Sequence, residues 1–313
     1  MQELNPTDEL KKLASKHLGK AGDGSIVKAY VTPTAHDKTL LVPLPRALNR
    51  AKSKIDSDTF IGYEVWHAYE MSFLGKTGMP VTGVLKVMYP ADSVAMIESK
   101  SFKLYLNSFD LEKFDSKEIV EKIIEEDLTE ALGGAVSVTL HIAHKAVFES
   151  SLFQGFSNVD DMTYELNEYT ENPNLLEENN TGFESYLTFH TANLRSNCEI
   201  TNQKDTGNCY IYIRGENLPT LQSLTKYIIS FRDSQHFHEN VTEIVFSTLS
   251  QKYAPSELLV ANIYNRRGGL DIHSVRASDQ KVIKRFLKEY GNPVYCLRKH
   301  LNSSLNKSKK ELQ

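Results

Sequence analysis

Cys198 lies in a polar stretch, RSNCEITNQKD, that runs from residue 195 to residue 205 and ends on Asp205. A free cysteine is usually a buried small hydrophobe, so these neighbours raise the question of a chemical role. The thiolate is the reactive form, and with an ordinary pKa of about 8.5 the thiol needs help to ionise. Asp205 could donate a proton in the same reaction. The simpler alternatives are a partly buried thiol at a strand end and an aspartate that bonds only its own backbone.

A second group of reactive side chains is the run HFHE at positions 236–239. His238 and Glu239 offer an imidazole beside a carboxylate, a pair suited to proton transfer. Metal binding by His236 and His238 is an alternative, but no H-E-x-x-H motif accompanies them. The simplest interpretation is that these polar residues cap the helix that follows.

The run RRGG, from Arg266 to Gly269, joins two predicted strands. Guanidinium groups beside open glycine backbone can bind a phosphate, although a charged hairpin turn also explains the run. The sequence contains neither G-x-G-x-x-G nor G-x-x-x-x-G-K-[ST]. Any nucleotide cofactor is therefore expected to bind without a Rossmann or P-loop site.

Composition narrows the class of protein. The chain has 313 residues, 40% of them hydrophobic, which favours two domains. A net charge of -4 without a long basic block gives no reason to expect a nucleic-acid footprint, so a small molecule is the expected partner. No apolar run is long enough to span a bilayer and no signal peptide is evident, which predicts a cytoplasmic protein. The cysteines lack a C-x-x-C pair and are predicted to be free thiols in a reducing compartment: Cys198, Cys209 and Cys296.

Hydrophobic periodicity predicts the same order of elements twice. The first copy has strands at 63–73 and 80–90, helices at 101–109 and 116–134, and a strand at 135–148. The second has strands at 184–196 and 209–215, helices at 218–231 and 238–253, and strands at 257–267 and 270–278. The polar stretch 150–184 is predicted to be a solvated connection in which DMTYELNEY is either irregular or an edge strand. Residues 41–50, LVPLPRALNR, are predicted to be ordered but irregular.

The two copies differ where chemistry is expected. Cys198 and Asp205 have no counterpart in the first copy, and the run ESKSFK at 98–103 has none in the second. One composite site built from both copies would explain this complementary loss, because ligand sites favour interfaces between domains. Simple divergence of surface loops explains it equally well.

Four motifs between residues 98 and 272, in the order ESKSFKLYLNSF, SNCEITNQKD, FHENVTEIVF and RRGGLDI, closely resemble the long form of the NADPH-dependent 7-cyano-7-deazaguanine reductases. The resemblance implies an α+β fold of two tandem tunnelling-fold (T-fold) modules, each an antiparallel sheet backed by two helices. It implies an N-terminal module at 1–150 with the ESKSFK motif and a C-terminal module at 151–313 with the catalytic cysteine and aspartate. A cytoplasmic homodimer, without direct nucleic-acid or membrane partners, is also implied.

The same resemblance implies the reduction of a nitrile to a primary amine in queuosine biosynthesis, with two NADPH and no metal. Cys198 matches the nucleophile that forms a covalent thioimide, Asp205 the acid that protonates the nitrile nitrogen, and His238 a catalytic histidine near the reacting group. The substrate contacts match Ile97, Glu98, Ser99, Phe237, His238 and Glu239. The NADPH contacts match Ser99, Lys100, Arg267 and Gly268. A carboxylate such as Glu239 suits a deazaguanine, because that ring presents two adjacent N–H donors.

The sequence departs from the family pattern at two places. Thr206 stands where an aromatic residue is usual, and the family's D-I-N-P reads D-I-H-S at Asp271–Ser274. These changes affect packing around Asp205 and cofactor fit without removing a catalytic group. Two other functions stay open: a zinc-dependent purine or pterin enzyme of the same fold with Cys198 and His238 as ligands, and a non-catalytic nucleobase-binding module. Metal analysis tests the first, and NADPH turnover tests the second.

Overall fold

The computed structural model describes residues 9–10, 12–13, 33–142 and 155–290, and the statements below concern these residues. They form a mixed α+β structure in which the larger sheet has seven strands in the order β5-β3-β2-β9-β8-β7-β6. The strands are β1 (Pro43–Pro45), β2 (Ile61–Leu74), β3 (Pro80–Pro90), β4 (Ala95–Ile97), β5 (Ser137–Ile142), β6 (Glu178–Asn197), β7 (Lys204–Pro219), β8 (Glu257–Tyr264) and β9 (Leu270–Ala277). The helices are α1 (Arg46–Ser53), α2 (Ser99–Asn107), α3 (Lys117–Leu132), α4 (Leu221–Ser230), α5 (His238–Tyr253) and α6 (Gln280–Tyr290).

Every neighbouring pair of strands in the large sheet is antiparallel. The strands of the first half meet those of the second where β2 pairs with β9, in a register that sets Ile61 opposite Ala277 and Ala68 opposite Leu270. We call this junction the seam. Because successive side chains on a strand point to opposite faces, each seam strand contributes to both sides of the sheet.

Two hydrophobic cores lie between the sheet and its helices. Helices α2 and α3 cover Trp66 and the other apolar residues of β2, β3 and β5, whereas α4 and α5 cover those of β6, β7 and β8. Helix α3 shows the sequence logic, since its buried side chains recur every four residues at Val120, Ile124, Leu128 and Leu132. Gly133 then ends the helix in the left-handed conformation, with φ of 62°. Helix α6 packs in a separate cluster with Tyr210, Leu259 and Val275.

Most predicted elements agree with these bounds within a few residues. Helix α2 begins at Ser99 because the Glu98 side chain caps it, two residues before the predicted start at residue 101. The part of the predicted strand 135–148 that follows Ile142 lies outside the described residues. None of the helices within the described ranges is long and apolar enough to cross a membrane.

The expectation that residues 41–50 are irregular was wrong. They contain β1 and the first residues of α1, which ends at Lys54 in a left-handed cap with φ of 52°.

DMTYELNEY, at 161–169, forms no strand, which agrees with the irregular alternative. The stretch around it is hydrogen-bonded to the second half of the chain. Asp160 accepts a hydrogen bond from the Ala192 N–H at 2.8 Å, and the Tyr169 carbonyl accepts one from the Asp233 N–H at 2.7 Å.

Candidate active site

One pocket, with an empty volume of about 400 Å³, receives residues from both halves of the chain. Its lining consists of Trp66, Ile97, Glu98, Ser99, Lys100, Cys198, Ile200, Asp205, His236, Phe237, His238, Glu239, Arg267 and Ile272. All the predicted site residues except Gly268 are in this lining. Gly268 lies next to Arg267 in the β8–β9 turn, where its φ of 59° requires the left-handed region that glycine tolerates. The structure thus brings together side chains that the sequence separates by about 170 residues.

The first half supplies the start of helix α2. Ile97 ends β4, and Glu98 follows as the helix cap, with one carboxylate oxygen accepting the Ser101 N–H at 2.6 Å. Lys100, in the first turn, lies 3.7 Å from the other oxygen of the same carboxylate. Glu98 is buried, whereas the lysine side chain is partly exposed at the pocket. This end of the helix therefore presents to the pocket the positive charge of Lys100, the hydroxyl of Ser99 and the fixed carboxylate of Glu98.

The second half supplies the β6–β7 hairpin, whose end carries Cys198. The Cys198 N–H donates to the Gln203 carbonyl at 2.8 Å, and the Asn202 N–H donates to the Cys198 carbonyl at 2.9 Å. The strands pair so that Ser196 stands opposite Asp205. The spacing of seven residues between the cysteine and the aspartate is thus the path of the chain around one hairpin turn.

The pKa of the Cys198 thiol is lower than its ordinary value. Burial opposes ionisation, because the residue is only 7% exposed, but three other effects outweigh it. They are the positive charge of Lys100, a hydrogen bond from the Thr201 side chain, and hydrogen bonds from the N–H groups of Thr201 and Ile200. The thiolate is stabilised partly by a charge from the other half of the chain, which is what a nucleophilic cysteine needs.

Asp205 is buried between the imidazole of His238 and the guanidinium of Arg267. Its Oδ2 lies 3.2 Å from Nε2 of His238, and its Oδ1 lies 2.5 Å from Nη1 of Arg267. The imidazole of His238 stacks on the Tyr264 ring, with centroids 3.8 Å apart and planes 11° apart, which fixes its orientation. The pair of His238 and Asp205 can hold and pass a proton beside the thiol. His236 instead faces Glu171 at 3.2 Å, so the two histidines of the HFHE run contact different carboxylates.

Glu239 is a buried acidic residue of the pocket lining. Burial raises the pKa of this carboxyl above its ordinary value, and repulsion from Glu64 adds to the effect. Glu64 is held by Arg46 at 2.8 Å and by a close contact with Arg276. A buried carboxylate that is repelled in this way gains stability from any ligand that brings N–H donors to it.

Two residues that position the cysteine were missed by the sequence analysis. Nζ of Lys52, on α1, lies 2.8 and 2.9 Å from the two carboxylate oxygens of Glu199, which directly follows Cys198. This ion pair ties the first half of the chain to the cysteine turn. No local pattern in the sequence indicates this pair, because Lys52 and Glu199 are 147 residues apart.

The two halves of the chain match two family models. Residues 32–140 match the family described as "Nitrile reductase, 7-cyano-7-deazaguanine-reductase N-term", and residues 205–290 match "QueF-like protein". These matches include both sides of the pocket, although Cys198 precedes the second one.

Curated relatives match over most of the chain. An "NADPH-dependent 7-cyano-7-deazaguanine reductase" from Chromohalobacter salexigens is 40% identical over 248 residues, which are 79% of this chain and 88% of that protein. The protein of the same name from Hahella chejuensis is 38% identical over 263 residues, which are 84% of this chain and 93% of its own. A solved structure titled "Crystal structure of the archaeosine synthase QueF-Like in the apo form" matches 30% of this chain and 91% of its own length at 15% identity, with a TM-score of 0.27.

Proposed function

Because the chain belongs to the family of the NADPH-dependent 7-cyano-7-deazaguanine reductases, we propose that it reduces the nitrile of 7-cyano-7-deazaguanine to the primary amine of 7-aminomethyl-7-deazaguanine, a step of queuosine biosynthesis. The observation that carries the proposal is a single pocket that holds a thiol with a lowered pKa, a histidine–aspartate pair and a buried glutamate. Each of these groups has a task in nitrile reduction.

In the first step, the thiolate of Cys198 attacks the nitrile carbon and forms a carbon–sulfur bond. One carbon–nitrogen π bond breaks, and the nitrogen takes a proton from the pair of His238 and Asp205, which gives a covalent thioimide. The 3.2 Å contact between these two side chains supports their joint role as proton donor. The lowered pKa of Cys198 supports its role as nucleophile.

Bound NADPH would supply the hydride for the thioimide carbon and, as a second equivalent, the hydride for the imine that follows. Between these events the carbon–sulfur bond breaks and the thiolate of Cys198 is regenerated. Lys100 and Arg267 fit a phosphorylated cofactor, because both are cationic, partly exposed and part of the pocket lining. The neighbouring Ser99 hydroxyl and the open backbone at Gly268 complete the proposed contacts.

Glu239 recognises the deazaguanine through the two adjacent N–H donors of its ring. The carboxylate lies in a buried position where repulsion from Glu64 is offset when such donors arrive. Phe237, at the cap of α5, is suited to stack on the ring. Ile97, Glu98 and Ser99 complete the substrate contacts from the first half.

The order of elements supports two tandem T-fold modules, residues 1–150 and 151–313, as the framework of this site. In each half two strands precede two helices, and a strand then returns to the same sheet. The protein is further proposed to be a cytoplasmic homodimer.

The test is to mix the purified chain with 7-cyano-7-deazaguanine in the absence of NADPH and to measure the intact mass. We expect an increase equal to the whole substrate, which disappears after NADPH is added, with two NADPH oxidised for each amine formed. A folded protein that forms no adduct and oxidises no NADPH would overturn the proposal.

A further inference from the structure

A second cluster of ionisable side chains lies on the face of the seam opposite the pocket. His67 is on β2, and Asp271 and His273 are on β9, with His67 and Asp271 opposite one another in the register. Their chain neighbours Trp66 and Ile272 line the pocket. Because the side chains of a strand alternate between faces, the cluster points away from the proposed reaction.

The three side chains converge on one carboxylate. Nδ1 of His67 lies 2.8 Å from Oδ1 of Asp271, and Nε2 of His273 lies 3.2 Å from the same oxygen. One ligand atom from each residue lies within 4.8 Å of both others. Oδ2 of Asp271 accepts the Tyr69 hydroxyl at 2.6 Å, which fixes the carboxylate. All three converging residues are buried.

The buried negative charge of Asp271 is costly unless hydrogen-bond donors or a positive charge lie beside it. Burial opposes its ionisation, and the groups that contact its oxygens are the imidazoles of His67 and His273 and the hydroxyl of Tyr69. Within the part of the chain that the structure describes, the ion pairs of Asp271 are those with the two imidazoles, which are charged only when protonated. A buried carboxylate is stable when a cation pairs with it, and a metal ion can take that place while the imidazoles stay neutral.

We propose that His67, Asp271 and His273 bind one divalent transition-metal ion, best matched by zinc, that joins β2 to β9 behind the pocket. Zinc takes imidazole nitrogen and carboxylate oxygen at about 2.0–2.2 Å in a tetrahedral arrangement, which sets ligand atoms roughly 3.3 Å apart. The two contacts to the shared oxygen, 2.8 and 3.2 Å, are close to this separation, and the two imidazole nitrogens lie within 4.8 Å of each other. The ion is structural and takes no part in nitrile reduction.

One nearby amine bears on this site, since Lys86, on β3, stands opposite His67 in the register and is buried on the same face of the sheet.

The experiment is a calorimetric titration of the chelator-treated full chain with zinc ion alone, in a Cys198→Ala background that removes the thiol as a competing ligand. We expect one equivalent of zinc to bind. His273→Asn, which installs the residue of the related family pattern, should weaken binding at least about tenfold, because even residues that only orient metal ligands contribute about that much. His190→Asn is the matched control, since His190 lies on β6 and stacks on Tyr210, away from the cluster. It should bind zinc like its parent.

A second measurement protects the test against misfolding. Zinc should raise the thermal midpoint of the parent and of His190→Asn but not that of His273→Asn, because a ligand stabilises only the state that binds it. Should His273→Asn not fold, His67→Asn replaces it in both measurements. Absence of stoichiometric zinc in the parent, or undiminished affinity in a folded cluster variant, would overturn the proposal. Neither readout depends on nitrile reduction, so the two proposals fail independently.

Discussion

The thiol of Cys198 combines two properties that rarely occur together, deep burial and a lowered pKa. Burial alone makes a cysteine inert, as Cys209 demonstrates, since its complete burial raises the pKa of its thiol. The difference comes from the surroundings. Cys198 lies at a hairpin end with hydrogen-bond donors and a lysine nearby, whereas Cys209 is inside β7 within an apolar core.

We therefore expect Cys198→Ala to abolish both the covalent adduct and turnover, because no second thiol is among the described residues that line the pocket. Cys209→Ala should keep both and lose only some stability through the small cavity it leaves. Cys296, which lies outside the described residues, is predicted to behave like Cys209. Intact-mass and NADPH-oxidation measurements on the three variants decide the point, and an active, folded Cys198→Ala protein would exclude the thioimide mechanism.

Glu239 is the residue proposed to determine which ring is accepted. Glu239→Gln keeps the shape of the side chain but turns one acceptor toward a ring N–H into a donor, which leaves a buried mismatch of about 1–3 kcal/mol. That range corresponds to a loss of affinity of about 5- to 150-fold. Calorimetry with the cyano substrate measures it, and iodoacetamide labelling should show that the thiol remains reactive. Unchanged affinity would move the recognition role to Glu98.

At the scale of elements, the periodic strands and helices were predictable because each buries an apolar face against one partner layer. Helix α1 was not predictable in this way. Its sequence, RALNRAKS, is mostly polar. The helix is stabilised by ion pairs with distant residues, Arg50 with Glu243 at 2.8 Å and Lys52 with Glu199 at 2.8 Å. These partners are 193 and 147 residues away in sequence, so no local pattern reports them.

The same limit applies to the pocket. The reactive residues could be identified from their motifs, and their convergence on one pocket is consistent with a site assembled from both halves. The contact between Arg267 and Asp205 could not be predicted, because it depends on how the β8–β9 turn lies against the β6–β7 hairpin. The cluster of His67, Asp271 and His273 could not be predicted either, since it exists only through the register of β2 with β9.

Helix α2 acts on the thiol through Lys100, so Lys100→Ala should raise the pKa of Cys198. Because the thiolate reacts, the midpoint of the pH profile for alkylation or adduct formation should shift to higher pH, with less adduct at pH 7 and recovery at alkaline pH. The KM for NADPH should also rise in this variant, and likewise in Arg267→Ala, if both cations contact the cofactor phosphates. Stopped-flow alkylation and NADPH titrations measure the two effects.

Lys100→Arg and Lys122→Ala provide the comparison. The arginine keeps the positive charge and should restore most of the pH profile, whereas Lys122 is exposed on α3 and its loss should change neither quantity. Identical pH profiles for Lys100→Ala and its parent would remove the lysine from thiol activation. An unchanged KM in both Lys100→Ala and Arg267→Ala would remove the shared cofactor site.

At the scale of the whole molecule, one buried charge network connects the two halves on the same face of the seam as the pocket. Arg276 on β9 contacts Glu64 on β2 and Glu243 on α5, and α1 adds Arg46 and Arg50. These arginines lower the pKa of Glu243 to about 2 despite its burial. The network also holds Glu64, the carboxylate that repels Glu239. The charge balance around Glu239 and the contact between the two halves therefore depend on the same residues.

Glu243→Gln tests this dependence. Removing the carboxylate leaves arginine charges buried without full compensation. The free energy of unfolding should therefore fall by about 3 kcal/mol at pH 7. This value is at the lower end of the usual range, because glutamine keeps one acceptor. A carboxyl whose folded pKa is depressed stabilises the fold above its unfolded pKa, near 4.3, and loses that contribution as pH falls toward 2. The difference between parent and variant should therefore be large at pH 7 and smaller at pH 3, as measured by urea unfolding.

Glu130→Gln is the control for this experiment, because Glu130 pairs with Lys38 on the surface, where such pairs contribute about 0–1 kcal/mol. It should match the parent at both pH values. A Glu243→Gln deficit that stays constant from pH 7 to pH 3 would mean that lost packing, rather than lost charge, causes the instability. A pH-dependent deficit accompanied by weaker binding of the cyano substrate would instead tie the stability of the seam to the charge balance around Glu239, since both depend on how the arginines are shared between Glu64 and Glu243.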